Sequence, residues 1–304
     1  MTAAIETSGL TKTFGRTRAV ADLDLRVETG EVFGFLGPNG AGKTTTIRML
    51  LALHRPTSGR AAVLGLDPAA DSIAIHRRTG YLPGELALYP RMTGQAHIDW
   101  FARARGIRDL SLARELAGRF SAVLDRPARE LSTGSKQKIG LILAFMASPE
   151  LLVLDEPTTG LDPLMQHEFE RLAREVTADG RTVFLSSHEL DEVQRLASRV
   201  AIIKDGRLVT TQAVDALRAS APRTMQVTFR QPVDPAIFAG LPGTTVTLSD
   251  GPRLELEVTG QIGPLLRLIA DHDPADLTSQ HAGLDELFLG FYREAPAPEA
   301  TRAR

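Results

Sequence analysis

The run Gly37-Pro38-Asn39-Gly40-Ala41-Gly42-Lys43-Thr44 has the spacing G-x-x-x-x-G-K-[ST]. Small residues at these places let successive backbone N–H groups curl round phosphate oxygens. A helix starting directly behind the loop adds the partial positive charge of its N-terminus. In such a loop Lys43 reaches the β- and γ-phosphates and the Thr44 hydroxyl binds Mg²⁺. A second pair of chemical groups, Asp155-Glu156, ends the apolar run Leu151 to Leu154. A carboxylate at the carboxyl end of a buried parallel strand stands where α/β folds bind ligands. Asp155 there suits a Mg²⁺ ligand, direct or through water, and Glu156 a base that polarises an attacking water.

These groups need a rigid frame, and residues 1 to about 215 supply one by alternating short apolar strands with helical patterns. Glu31 to Leu36 reads as the strand before the loop and Lys43 to Leu53 as the helix after it. Leu151 to Leu154 is wholly apolar, as a strand covered on both faces must be. The next helix carries Phe169, Leu172, Ala173 and Val176 at i, i+3, i+4, i+7. Thr182 to Leu185 is a further strand, and Val200 to Ile203 with Leu208 to Thr210 flank the hairpin turn Asp205-Gly206. From about 81 to 147 strand signals fade and Arg-rich helical stretches dominate, so a helical insert is expected there, ending in an amphipathic stretch from Lys136 to Met146. A boundary is expected near Ala219 to Arg223, giving a first domain of 1–220. Strands at Met225 to Phe229, Thr244 to Leu248 and Leu254 to Val258, with a helix at Ile262 to Ile269, outline a small α+β domain over 224–293. The Pro/Ala-rich residues 294–304 read as a disordered tail.

Composition narrows the function further. Lys and Arg total 35 against 37 Asp and Glu, a net charge of -2 without the cationic surplus of a nucleic-acid binder. The absence of cysteine removes disulfides, thiolate metal sites and cysteine nucleophiles. The N-terminus lacks the basic-then-apolar pattern of a secretory signal. No apolar run approaches the ~18 residues of a bilayer span, so the chain by itself is expected to be soluble.

Taken in order, the motifs resemble those of the nucleotide-binding subunits of ATP-binding-cassette transporters, over residues 3 to about 220. Phe14 stands where that family has an aromatic residue stacked on adenine. The phosphate loop follows, with the cofactor-binding run extended by Thr45. Leu131-Ser132-Thr133-Gly134-Ser135 is similar to the LSGGQ signature. Asp155-Glu156-Pro157-Thr158-Thr159-Gly160-Leu161-Asp162 holds the strand carboxylates and the D-loop, and Ser186-Ser187-His188 the switch histidine. The resemblance implies a P-loop NTPase cassette, α/β with a mixed sheet core and a helical signature subdomain, that binds ATP and Mg²⁺. It also implies a head-to-tail pair of cassettes, either two copies or a heterodimer, with ATP between one phosphate loop and the other subunit's signature. Ser132 and Gly134 would then donate to the γ-phosphate, and His188 would contact that phosphate beside Glu156.

Two departures from the family pattern stand out. Gly80-Tyr81-Leu82-Pro83 is followed by Gly84-Glu85, so the glutamine that senses Mg²⁺ there is missing; Glu85 replaces its polar role, as a metal ligand, or the loop acts only mechanically. The signature has Thr133 and Ser135 in place of Gly and Gln. The stretch from Gly80 to Pro90 and the C-terminal Leu284-Asp285-Glu286-Leu287-Phe288-Leu289 are most similar to the bacterial ABC-2-type, drug-resistance exporter branch. That branch implies an ATPase on the cytoplasmic face of the cell membrane, held by an integral-membrane permease, exporting drugs or other hydrophobic compounds. In this family the groove between insert and Tyr81 loop takes the permease's coupling helix, and Tyr81, Leu86, Leu88, Tyr89, Trp100 and Phe101 suit such a groove or an ordinary core equally. Two other readings compete: a soluble nucleic-acid- or ribosome-associated ATPase, and a nucleotide-responsive regulatory subunit with little turnover. The first lacks the coiled-coil arms, second cassette and basic surplus it needs.

Overall fold

The computed structural model describes residues 3–220 and 223–281. The Leu284 to Leu289 motif and the tail of 294–304 lie outside the described residues. The chain divides into two compact units, Met1–Gln212 and Ala213–Arg304.

In the first unit, β1 (Ala3–Phe14) and β2 (Thr17–Glu28) form a long antiparallel hairpin, and β4 (Ser58–Val63) pairs with the other edge of β1. Along β2 buried and exposed residues alternate, which is the pattern of a sheet with one face on the core and one in water. Sequence reading had no strand here. The six-stranded sheet has the order β5-β6-β7-β3-β8-β9, built from β5 (Thr79–Leu82), β6 (Leu151–Asp155), β7 (Thr182–Ser187), β3 (Val32–Leu36), β8 (Arg199–Lys204) and β9 (Arg207–Ala213). The first five run parallel. Every residue of β3, β6 and β7 is buried, so layers cover both sheet faces, as parallel strands require. Phe33 and Phe184 stack with ring centroids 6.0 Å apart at its centre. At the edge the β8–β9 turn places Asp205 at φ 48° and Gly206 at φ 76°, the paired left-handed geometry of a type I′ hairpin.

Helix α1 (Lys43–Leu50) follows the phosphate loop and closes at Leu51, short of the expected Leu53, because Ala52 takes a left-handed φ of 56°. α2 (Pro68–Arg78) precedes β5. The helical region holds α3 (Gly94–Arg105), α4 (Ser111–Arg119) and α5 (Thr133–Phe145), and it starts after Leu82 because Tyr81 belongs to a strand. That strand has four residues, too few to show a period in sequence. The stretch expected to be amphipathic is α5, and seven of its residues are buried, including Ile139, Leu141, Ile142 and Phe145, so it is a core helix. α6 (Pro163–Ala178) and α7 (Leu190–Leu196) complete the unit.

The second unit begins at Ala213, eight residues before the expected 220/221 boundary, and its first helix is α8 (Val214–Ser220). It then runs β10 (Arg223–Phe229), α9 (Ala236–Ala239), β11 (Thr244–Asp250), β12 (Arg253–Val258), α10 (Gly263–Ala270) and β13 (Pro274–His281). The antiparallel sheet order β11-β12-β10-β13 makes this a βαββαβ, ferredoxin-like arrangement. Met225, Val227 and Phe229 alternate inward along β10 and pack with Leu254, Leu256, Val258, Phe238 and Leu265. Strand β13 and helix α9 were not legible in sequence: β13 begins at Pro274 in a polar stretch, and α9 has a single turn.

Candidate functional site

The carboxyl ends of β3, β6 and β7 converge on one cavity of ≈ 560 Å³ in the first unit. Its wall takes Pro38, Asn39, Gly40, Gly42, Lys43, Thr44 and Thr45 from the loop and the start of α1. Gly42 has φ 106°, and a Cβ there would stand 2.5 Å from the Ala19 carbonyl oxygen, so no other residue fits this turn. α1 has no side-chain cap, which leaves its first amides to a ligand. Gly37 and Ala41 are buried at the base of the loop and do not line the cavity.

Charged groups are held at short range here. The Lys43 ammonium, 6% exposed, donates to Gly37 O at 2.6 Å and Pro38 O at 3.3 Å and pairs with Glu156 Oε1 at 3.2 Å. The Thr44 hydroxyl donates to Asp155 Oδ2 at 2.7 Å, and the Ser186 hydroxyl to Asp155 Oδ1 at 2.5 Å. Asp155 is fully buried, so these hydroxyls are what makes a carboxylate tolerable there. Glu156 sits at φ 53°, a strained setting for a non-glycine residue, at the turn out of β6. That turn is fixed from two sides: Glu156 N donates to Ser186 O at 3.2 Å, and Gln137 Nε2 donates to Glu156 O and Pro157 O at 3.2 and 3.0 Å. Glu156 Oε2 accepts from His188 Nδ1 at 2.7 Å; an ionised carboxylate only accepts, so Nδ1 carries a proton. Burial, with Asp155 nearby, raises the Tyr81 phenol above its ordinary value, and Arg48 opposes the rise.

Glu85 lines the same cavity and is exposed; among the described residues it has no hydrogen-bond or ion-pair partner. A Cβ on its neighbour Gly84 would lie 3.1 Å from Asp155 Oδ2. The described residues contain no cluster of three or more His, Asp or Glu side chains placed to hold a metal.

Other candidate residues stand apart from this cavity. Phe14 is 46% exposed, edge-on to His54 at 5.5 Å, with the Lys12 ammonium 4.9 Å from its ring centroid. Ser132, Thr133, Gly134 and Ser135 form the start of α5, where the Ser132 hydroxyl caps the helix by accepting from Ser135 N at 3.2 Å. Gly134 lies against the D-loop; a Cβ there would be 2.3 Å from Gly160 O. Asp162 caps α6 through Met165 N and lies 3.9 Å from Lys138. None of these residues lines the cavity of their own chain. Sequence reasoning missed the cavity residues Ala19, Arg48, Gly84 and Thr159, and the Gln137 brace. None of these had a signal of its own: even Gln137 stands between Lys136 and Lys138 in the polar first half of α5.

A separate cavity of ≈ 190 Å³ opens between α1, β5 and α3 and is lined by Leu51, Leu53, Tyr81, Phe101 and Arg105, among others. Of the expected groove residues, Tyr81 and Phe101 line it. Tyr89 and Trp100 are exposed and meet edge-on at 6.3 Å, whereas Leu86 lies under Gly140 of α5.

The ABC transporter family profile matches residues 20–159. The chain is 34% identical over 298 residues to mouse "ATP-binding cassette sub-family A member 7", a match that takes in 92% of the chain and 14% of the length of that relative. It is also 34% identical over 299 residues to "Daunorubicin resistance ATP-binding protein DrrA3" of Streptomyces coeruleorubidus, covering 94% of the chain and 95% of that protein. Among solved structures, "Structure of ATP binding subunit of ABC transporter" superposes with a TM-score of 0.66 at 30% identity, over 71% of this chain and 92% of that one.

Proposed function

Because the chain belongs to the ABC transporter family, we propose that it is the ATP-hydrolysing subunit that powers a membrane exporter. The observation that carries this reading is the convergence of Lys43, Thr44, Asp155, Glu156 and His188 on one cavity at the N-terminus of α1. Loop amides and the α1 dipole would cradle the β- and γ-phosphates. Lys43 would exchange the carbonyl oxygens of Gly37 and Pro38 for phosphate oxygens. The Thr44 hydroxyl and Asp155 carboxylate are adjacent hard oxygen donors, which suits Mg²⁺, an ion held by one or two carboxylates together with substrate phosphates. When bound, Mg²⁺ would neutralise charge on the β- and γ-phosphates.

Glu156 is the base in this reading. Its carboxylate takes a proton from water as the water oxygen bonds to the γ-phosphorus and the bond to the β–γ bridging oxygen breaks. His188, which lines the cavity, orients that carboxylate through Nδ1 and would donate from a protonated Nε2 to a γ-phosphate oxygen. The signature residues Ser132 to Ser135, with Ser132 and Thr133 exposed and away from this cavity, would complete the site of a second cassette packed head to tail. Phe14 would stack on adenine from its exposed position.

Among the described residues no helix is long and apolar enough to cross a membrane; in this reading an integral-membrane permease carries the translocation path. The groove of Leu51, Leu53, Tyr81, Phe101 and Arg105 would take its coupling helix on the cytoplasmic face of the membrane. A relative named for daunorubicin resistance supports export of a hydrophobic compound. Two measurements test the reading. The purified chain should bind and hydrolyse Mg-ATP, and affinity capture from detergent-solubilised native membranes should retain a stoichiometric polytopic protein. Lack of nucleotide binding would refute the ATPase, and capture of ribosomes or DNA the transport role.

A further inference from the structure

Glu192 is a carboxyl group that the hydrolytic scheme leaves without a task. It lies on α7, 2% exposed, one turn beyond His188. Its Oε2 accepts from the Ser187 hydroxyl at 2.5 Å, while Oε1 is buried with no hydrogen-bond partner. The Thr158 hydroxyl is a second favourable neighbour of the carboxyl. Ser187 immediately precedes His188, and Thr158 follows Glu156 by two positions. Ser187 O also accepts from Gly37 N at 3.2 Å, tying the same residue to the phosphate loop. Helix α7 packs closely on the central strand: a Cβ on Gly34 of β3 would stand 2.3 Å from a Val193 methyl.

A buried carboxyl is costly, and an apolar side chain would pack here more cheaply unless the polar contacts serve a purpose. We propose that Glu192 is a positioning residue of this site, gripping Ser187 from behind so that the adjoining His188 keeps its geometry to Glu156. The charged groups that act on it are Glu156 and Glu189, both repulsive to its ionised form. β3 and β7 bring no charge, and Glu170 and Arg174 of α6 are engaged with Arg195 of α7 instead. Burial foremost, then these carboxylates, push the Glu192 carboxyl up to about 7 against the opposing pull of the Ser187 and Thr158 hydroxyls. Its protonation state therefore changes near neutrality.

This inference rests on the ATPase reading, and the test separates the two. In the full chain, Glu192→Ala should lower kcat by about tenfold to a hundredfold through misplacement of His188, with the Kd for Mg-ATP within about twofold of wild type. Glu192→Gln, which keeps the shape and the hydrogen bonds, should restore most of that kcat. Its pH profile should coincide with wild type on the acid side of 7 and part from it on the alkaline side, where only wild type gains a buried charge. The His188 ring resonances should move in Glu192→Ala and stay near wild type in Glu192→Gln at low pH. Wild-type kcat in a folded Glu192→Ala, kcat and nucleotide affinity falling together, or superimposable pH profiles would each overturn the proposal. A wild-type chain without nucleotide binding would instead sink the ATPase reading.

Discussion

The two units of this chain solve the problem of a core in opposite ways. Every buried polar or charged residue among those described, including Lys43, Gln137, Asp155, Glu170 and Glu192, lies in the first unit. The core cluster of the second is apolar throughout, from Met225 to Ile269. Its antiparallel sheet satisfies backbone groups between neighbouring strands and buries one apolar face, which is all that a stable small domain needs. The first unit carries desolvated charges, a left-handed Glu156 and partnered hydroxyls, features that reduce stability and are tolerated where chemistry requires them.

The sharpest test of that contrast is Glu156→Gln. Hydrolysis should fall by about a hundredfold or more while Mg-ATP still binds, because the substitution removes the base and leaves the loop intact; steady-state ATPase and equilibrium binding measure the two separately. Leu256→Ala should do the reverse. Truncating a fully buried side chain in the second unit should destabilise that unit by about 2–5 kcal/mol in urea unfolding. The nucleotide Kd of the first unit should not change. A parallel loss of nucleotide affinity would break the division drawn here.

Glu192→Gln gives the third test, through stability. Below its ordinary value of 4.5 the Glu192 carboxyl is neutral in both folded and unfolded chains. Between 4.5 and about 7 only the folded chain keeps the proton, so wild-type stability falls as pH rises through that window. The total is about 3 kcal/mol at 1.36 kcal/mol per pH unit. The glutamine variant lacks this slope, and the gap in Tm between the two should widen from pH 4.5 to 7 and then level off. The smallest effect is expected from Ser132→Ala, which removes the cap of α5 and should cost about 1 kcal/mol. Thermal unfolding reads it, and a loss well above that value would mean that Ser132 holds more than its own helix.

Much of the site was legible before any coordinates. A phosphate loop announces itself because glycine spacing, lysine and hydroxyl are local requirements of one turn, and Asp155-Glu156 was marked by the apolar strand it ends. The hairpin at Asp205-Gly206 was legible for the same local reason. What stayed hidden is non-local. β2 does alternate apolar and polar residues from Leu23 to Glu28, a strand signal that a search for wholly apolar runs passes over, whereas β1 is less regular and is fixed by its pairing with β2 and β4. Gln137 and Glu192 look like ordinary polar positions on helices until α5 and α7 are placed against the Glu156 turn and Ser187. Gly84 is a glycine in a loop until Asp155 comes within reach of it.

The sequence by itself therefore determined the chemistry on offer: phosphate-binding amides, a lysine, a hydroxyl with a carboxylate for a hard cation, and a base. These depend on residue types at fixed short spacings, which the backbone converts into geometry wherever the local elements form. The tertiary structure decided which groups meet. Residues 111 positions apart, Thr44 and Asp155, come to 2.7 Å, and residues 32 apart, Glu156 and His188, also come to 2.7 Å. It also decided that the signature residues Ser132 to Ser135 do not line the cavity of their own chain. Such meetings are set by how parallel strands order themselves and how helices cover them, because the burial that drives the packing is non-directional and shared among residues distant in the chain.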